Sequence, residues 1–322
     1  MATMTHDTAV QRLRSGLILA VVSASSFGLS GALARGLMNA GWSAASVVAI
    51  RVLVAAAVLV PIAARQLRGD WQLLRRNGFL ITAYGLVAVA GTQLAYFNAV
   101  AHMEVGAALL IEYTAPIAVV GWLWLRHSQR PGTATVAGAA LGITGLFLVI
   151  DLRSGLTTSG VGIAWALAAM VGAAGYFVLS AHGDGTLPGT VLAAGGLLIG
   201  GLALLAAGAI GIVPLHATTN PVDFQHFTTA WLTPVLALGT VTAALAYVSG
   251  IAATRLLGSR LASFVALFEV LAALIFAWAL LGEAPRLIQL LGGALILGGV
   301  IVVRRGEVDA TEAPADEFAT ER

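Results

Sequence analysis

The chain has 322 residues, 59% of them hydrophobic and only 10% charged, with a formal net charge of +2. A soluble domain is roughly 45–50% apolar and about 25% charged, and a chain of this size needs a large polar surface to stay in water, so a soluble globular protein is excluded. All 17 basic residues are arginines and there is no cysteine, which removes phosphate-loop and Schiff-base lysines, disulfides, thiolate metal sites and thiol nucleophiles.

Ten apolar stretches are long enough to cross a bilayer as helices, about 17–25 residues each. In chain order they run approximately 16–38, 44–64, 78–100, 105–125, 133–151, 159–181, 189–213, 230–251, 259–281 and 286–303. The first outruns the apolar part of a signal peptide and no cleavage site follows it, so it reads as a membrane helix. No segment shows the apolar/polar alternation of a barrel strand. The expected class is therefore an all-α membrane protein of ten transmembrane helices.

Orientation follows from arginine. With the N-terminus cytoplasmic, the cytoplasmic connections hold Arg12, Arg14, Arg65, Arg68, Arg75, Arg76, Arg126, Arg130, Arg255, Arg260, Arg304 and Arg305. The opposite side holds Arg35, Arg153 and Arg286. Positive charge is retained inside, so both termini are expected in the cytoplasm of a multi-pass cell-membrane protein. These short basic clusters suit a membrane signal, and no nucleic-acid partner is expected. The six histidines (His6, His102, His127, His182, His216 and His226) lack the spacing of a helical zinc pair, so no metal and no cofactor is expected.

The second half repeats the first at an offset of 154. Pro131 meets Pro285, Gly138 meets Gly292, Ala140 meets Ala294, Leu141 meets Leu295, Gly145 meets Gly299 and Trp124 meets Trp278. Five spans per half is an odd number, so the second copy enters the membrane from the other side. The expected organisation is a cytoplasmic segment 1–15, a first repeat 16–155, a second, inverted repeat 156–306, and a disordered, acid-rich cytoplasmic tail 307–322. Inverted halves enclosing a midplane site are the architecture of many secondary transporters.

The EYTAP segment Glu112–Pro116, the passage FEVLAALIFAWALLGEAPRLIQLLGGALILGGV from Phe268 to Val300, and the two five-helix halves resemble the EamA family of the drug/metabolite transporter superfamily. VGAALLIEYTAPIAVV (Val105–Val120) and ALAAMVGAAGYFVLSA (Ala166–Ala181) look most like its threonine and homoserine exporter branch. The family often reads Glu-Pro in the ninth helix, where this chain has Glu269–Val270. The resemblance implies a ten-helix carrier that exports small metabolites of the amino-acid kind across the cytoplasmic membrane, and not an enzyme.

Three ionisable residues lie well inside the spans: Arg51, Glu112 and Glu269. A charge at the bilayer centre costs about 2.5–3.5 kcal/mol on insertion scales, so each must face the protein interior, a partner or water. Pro116 has no N–H, so the helical bond that would end on the Glu112 carbonyl cannot form, and carboxylate and freed carbonyl coincide. At the repeat offset Glu112 maps three residues before Glu269, on one helix face, so the two acids are expected to look into one cavity from opposite halves. Tyr113, Thr114, Gln93, Tyr96, Tyr176, Tyr247, Ser26 and Ser30 are polar or aromatic side chains on apolar helices. Of these Tyr113, Thr114, Gln93, Tyr96, Tyr176 and Ser30 complete the expected substrate site. Glu112 and Glu269 would take an ammonium group or a coupled proton, while Arg51 would face a carboxylate or simply staple a glutamate. The Gly138/Gly142 and Gly196/Gly200 pairs read as close helix packing.

The expected function is thus a secondary carrier working by alternating access on a small zwitterion, as a monomer or homodimer in the lipid bilayer. Rivals are a flippase for lipid-linked substrates, a drug exporter of the same fold, or a membrane-embedded enzyme. The enzyme would want acids or histidines in a sizeable loop, and 214–229 offers only His216, Asp223 and His226.

Overall fold

The computed structural model describes residues 2–115, 132–150, 159–181, 187–250 and 268–312, together with 252, 253 and 256. Its elements are α1 (Ala2–Asn39), α2 (Ala44–Leu67), a short α3 (Gln72–Arg76), α4 (Gly78–His102), α5 (Val105–Glu112), α6 (Thr133–Ile150), α7 (Gly160–Ala181), α8 (Gly189–Ala209), a β1–β2 hairpin (Val222–Asp223 and Thr228–Thr229), α9 (Leu232–Gly250), α10 (Phe268–Leu281) and α11 (Leu287–Glu312). Among the described residues, α2, α4, α8, α9 and the Arg14–Asn39 part of α1 are long and apolar enough to span a membrane. Shorter apolar helices lie within α6, α7, α10 and α11. The fourth and ninth expected spans continue into residues outside the described set, at 116–125 and 259–267.

Two helices extend beyond their apolar stretches: α1 runs from Ala2 to Asn39, with its membrane-length part at Arg14–Asn39, and α11 runs from Leu287 to Glu312. The cause is local. Leaving the bilayer changes the polarity of the side chains but breaks no i→i−4 bond, and the alanine, glutamine, arginine and glutamate in these extensions are compatible with a helix. Where helices do stop, the backbone shows why: α2 begins under a Ser43 cap that accepts the Ser46 N–H at 3.2 Å, and ends as Arg68 and Gly69 turn left-handed (φ 48° and 91°).

Without a hydrophobic force between helices, packing in lipid rests on close approach at small residues. A Cβ on Gly145 would lie 2.5 Å from the Gly292 carbonyl oxygen and 2.8 Å from the Ile296 nitrogen; one on Gly299 would lie 2.5 Å from the Gly138 oxygen and 2.7 Å from the Gly142 nitrogen. Adding 154 converts 138, 142 and 145 into 292, 296 and 299, so the second set of contacts is the first with the helices exchanged. Residue numbers rise along one helix as they fall along the other, which makes α6 and α11 an antiparallel pair about a local two-fold axis. Gly196 and Gly200 on α8 pack on the backbone of α4 at Gly85, also within 4 Å. Gly85 and Gly239 differ by the same 154, and Gly239 packs against Val54 of α2.

Because backbone atoms stand where each Cβ would go, Gly145→Leu and Gly299→Leu should each cost about 1–3 kcal/mol or more through overpacking. Both are expected to lower the yield of monodisperse protein by similar amounts in fluorescence-detected size-exclusion chromatography. Unchanged yield in either variant would contradict this packing.

The chain ends of α1, α4, α8 and α10 gather at one end of the molecule with the starts of α2, α5, α9 and α11. Trp42 stacks near Trp231 (ring centroids 6.0 Å), its Nε1 donates to the Thr218 carbonyl at 2.9 Å, and Gln225 N donates to the Leu280 carbonyl at 2.8 Å. The hairpin pairs Val222 with Thr229 and Asp223 with Thr228, so the 214–229 connection is a folded cap over this end.

Candidate substrate site

Helix α2 carries Arg51 into the interior at 3% exposure, beside Gln93 and Phe97 of α4. One Nη of Arg51 donates to Gln93 Oε1, the other donates to the Thr242 carbonyl at 3.0 Å, and the guanidinium carbon stands 5.4 Å from the Phe97 ring centre. The backbone explains how a helical carbonyl is available. Thr240–Leu245 in α9 is wound as a π-helix, as is Tyr84–Gly91 in α4, and their last residues again differ by 154. Such widened turns displace the regular hydrogen-bond ladder and recur at functional sites. In α4 the Thr92 hydroxyl donates to the Val87 carbonyl at 2.9 Å; in α9 the Arg51 guanidinium donates to Thr242. Nε of Arg51 is a fully buried polar atom without a hydrogen-bond partner among the described residues.

Arg51 thus has a side-chain amide and a backbone carbonyl as its hydrogen-bond partners. Among the described residues no ion pair within 4.0 Å joins it to Glu112 or Glu269; the pair formed is Arg35–Glu283, at 3.8 Å. Both glutamates nonetheless act on Arg51 electrostatically, and Glu269 acts on Glu112 in the same way.

Helix α5 unwinds at Glu112. Tyr113 and Thr114 form a turn, and Thr114 N closes back on the Ile111 carbonyl at 3.0 Å. Unwinding just ahead of Pro116 is what its missing N–H dictates, although Pro116 itself lies outside the described residues. The break brings Tyr113 to the start of α10, where its hydroxyl donates to Glu269 Oε2 at 2.9 Å. Helix α1 approaches the same point, since a Cβ on Gly28 would lie 2.8 Å from the Glu269 carbonyl oxygen.

The other expected residues divide. Tyr96 is buried and its hydroxyl sits against Gly31 of α1, 2.6 Å from where a Cβ would be; Ser26 and Ser30 are buried one turn apart on α1. Thr114 turns away, its hydroxyl donating to Ile111 at 2.7 Å beside Met170 Sδ at 2.9 Å, so its work is closing the helix end. Tyr176 lies on α7, but its side chain falls outside the described residues. Phe97 and the Thr242 carbonyl escaped sequence reading. Phenylalanine is unremarkable in an apolar helix, and nothing in the TVTAAL segment from Thr240 announces a widened turn.

Tyr113→Phe removes a hydrogen bond to a carboxylate, worth about 1.5–3 kcal/mol, while keeping the ring. It is expected to leave membrane abundance unchanged and to raise the apparent KM for transport roughly tenfold. An unaltered KM in liposomes would take Tyr113 out of the site.

These features define a helical, multi-pass membrane protein with buried charge at the meeting of its helices. The chain belongs to the EamA-like transporter family, whose family model matches residues 14–151 and 160–305, and it is accordingly a membrane transporter. It is 27% identical over 294 residues to an uncharacterized transporter of Archaeoglobus fulgidus, covering 91% of this chain and 97% of that one. A solved crystal structure resembles it at TM-score 0.60 with 21% identity, covering 94% of this chain and 99% of the other; at that identity the likeness bears on the fold alone.

Proposed function

We propose that this transporter exports a small zwitterion of the amino-acid class by alternating access, with ten spans in two inverted repeats and both termini in the cytoplasm. The observation that carries the reading is the joining of Tyr113 to Glu269 beside Glu112, with Arg51 set between α2, α4 and α9. A substrate ammonium, or a proton taken in exchange, neutralises the carboxylates. A substrate carboxylate is drawn by the guanidinium, whose Nε has no acceptor among the described residues. The exchange symmetry of the α6–α11 contact and the two stretches of the family match support the inverted repeats. Likeness to the threonine and homoserine exporter branch, seen in Val105–Val120 and Ala166–Ala181, supports the substrate class.

A second carrier reading, export of a drug-like or lipid-linked amphiphile, draws on an apolar cavity between α5, α10 and α11, walled by Leu110, Val270, Leu274 and Leu297. Reconstituted liposomes separate the two. Amino acids should move, faster under an imposed pH gradient if protons are exchanged, and lipophilic cations should not. Movement of the cations alone would transfer the proposal to the second reading.

A further inference from the structure

At the end capped by the hairpin, polar contacts join residues 35–105 to residues 283–289 across the two halves. Glu283 lies in the bend between α10 and α11. One of its carboxylate oxygens accepts the Val105 N–H at 2.9 Å, at the start of α5, and the other stands 3.8 Å from Arg35 of α1. Gln289, 5% exposed, donates to Glu104 Oε2 at 2.6 Å and accepts the Arg286 N–H at 2.8 Å. Glu104, Glu283 and Gln289 together line one end of the apolar cavity between α5, α10 and α11. The hairpin seals the neighbouring sector: Phe224 is pressed against α1 at Gly36, and Gln225 sits over Gly282.

We propose that Glu283 and Gln289 are the latch of the outer gate, and that the passage opens outward only when their bonds to Val105, Arg35 and Glu104 break. The word "outer" rests on the orientation proposed above; the latch itself rests on the contacts. Burial pushes the Glu283 carboxyl above its usual range, against the pull of the Val105 N–H and Arg35. Opening returns that group to water, so recovered hydration offsets part of the lost bonding. Opposed terms of this kind suit a gate that cycles between closed and open states. Among the described residues, the hydrogen bonds and ion pair of Glu283 and Gln289 involve Val105, Arg35, Glu104 and Arg286, and not Arg51, Glu112 or Glu269.

The natural absence of cysteine supplies the test. Ser30→Cys, buried on α1 inward of Arg35, reports entry of an impermeant maleimide from outside intact cells; Asn220→Cys, in the exposed cap, serves as the reference for each strain. With the latch intact, Ser30→Cys should label far more slowly than Asn220→Cys. Adding Glu283→Ala or Gln289→Ala should raise the relative rate roughly tenfold, the shift that loss of about 1.4 kcal/mol produces. If Glu283→Ala does not fold, Gln289→Ala and Arg35→Gln carry the test. Unchanged relative labelling in the folded variants overturns the latch. Labelling of Asn220→Cys only after lysis overturns the orientation instead, and the same comparison in inside-out vesicles then decides the latch.

Discussion

Glu112→Gln and Glu269→Gln should each yield a folded carrier in the membrane whose transport is reduced at least roughly tenfold, equivalent to 1.4 kcal/mol or more. Glutamine keeps the shape and hydrogen-bonding reach of glutamate but can neither neutralise an ammonium nor carry a proton at physiological pH. Bonds to charged groups contribute about 1.5–3 kcal/mol, so losing the charge should dominate over any small packing change. In the membrane a neutral side chain is also less costly than a carboxylate, which argues against loss of folding. Had Glu112 been the partner of Arg51, a double change of both residues to Gln would restore transport. Arg51 is instead held by Gln93 and the Thr242 carbonyl, so the double variant should be no better than Glu112→Gln alone. Normal rates and normal pH dependence in both single variants would remove this pair from the mechanism.

Arg51→Lys should be the most damaging conservative change. The guanidinium reaches two acceptors on different helices at once through its planar fork, whereas an ammonium is a compact point charge on a flexible stem. Lysine keeps the cost of a buried cation and gives up at least one of the two bonds. Loss of one charge-assisted bond, about 1.5–3 kcal/mol, corresponds to a fall in Tm of roughly 2–4 °C for a chain of this size. Thermal unfolding in detergent, followed by the size-exclusion profile, reads this directly. Gln93→Leu removes only the partner on α4 and should cost less. A Lys variant as stable as the parent would mean that the bond to Thr242 contributes nothing, and that the widened turn of α9 is satisfied in another way.

How much of this was legible in advance depends on how far apart the contributing residues stand. The lipid solvent and the helical class came from composition and run length, because apolar transfer energies add along a chain wherever it later folds. Family membership was legible too, in contiguous segments such as Val105–Val120 and Phe268–Val300. Arg51, Glu112 and Glu269 could be singled out one at a time, since burying a charge in lipid is costly whatever its neighbours.

Partners were not legible in that way. Arg51 meets Gln93 at 42 residues and Thr242 at 191, and Tyr113 meets Glu269 at 156. No local propensity encodes such separations, and a guanidinium can be satisfied by an amide or a carbonyl as well as by a carboxylate. The extents of α1 and α11 exceed their apolar stretches because hydropathy marks where side chains leave lipid, whereas a helix ends where its backbone hydrogen bonds do. The widened turns of α4 and α9, the folded hairpin and the latch around Glu283 belong wholly to the tertiary structure. They depend on contacts between segments distant in the chain and on freed carbonyls that a side chain must satisfy, from another helix as Arg51 does for Thr242 or from the same helix as Thr92 does for Val87.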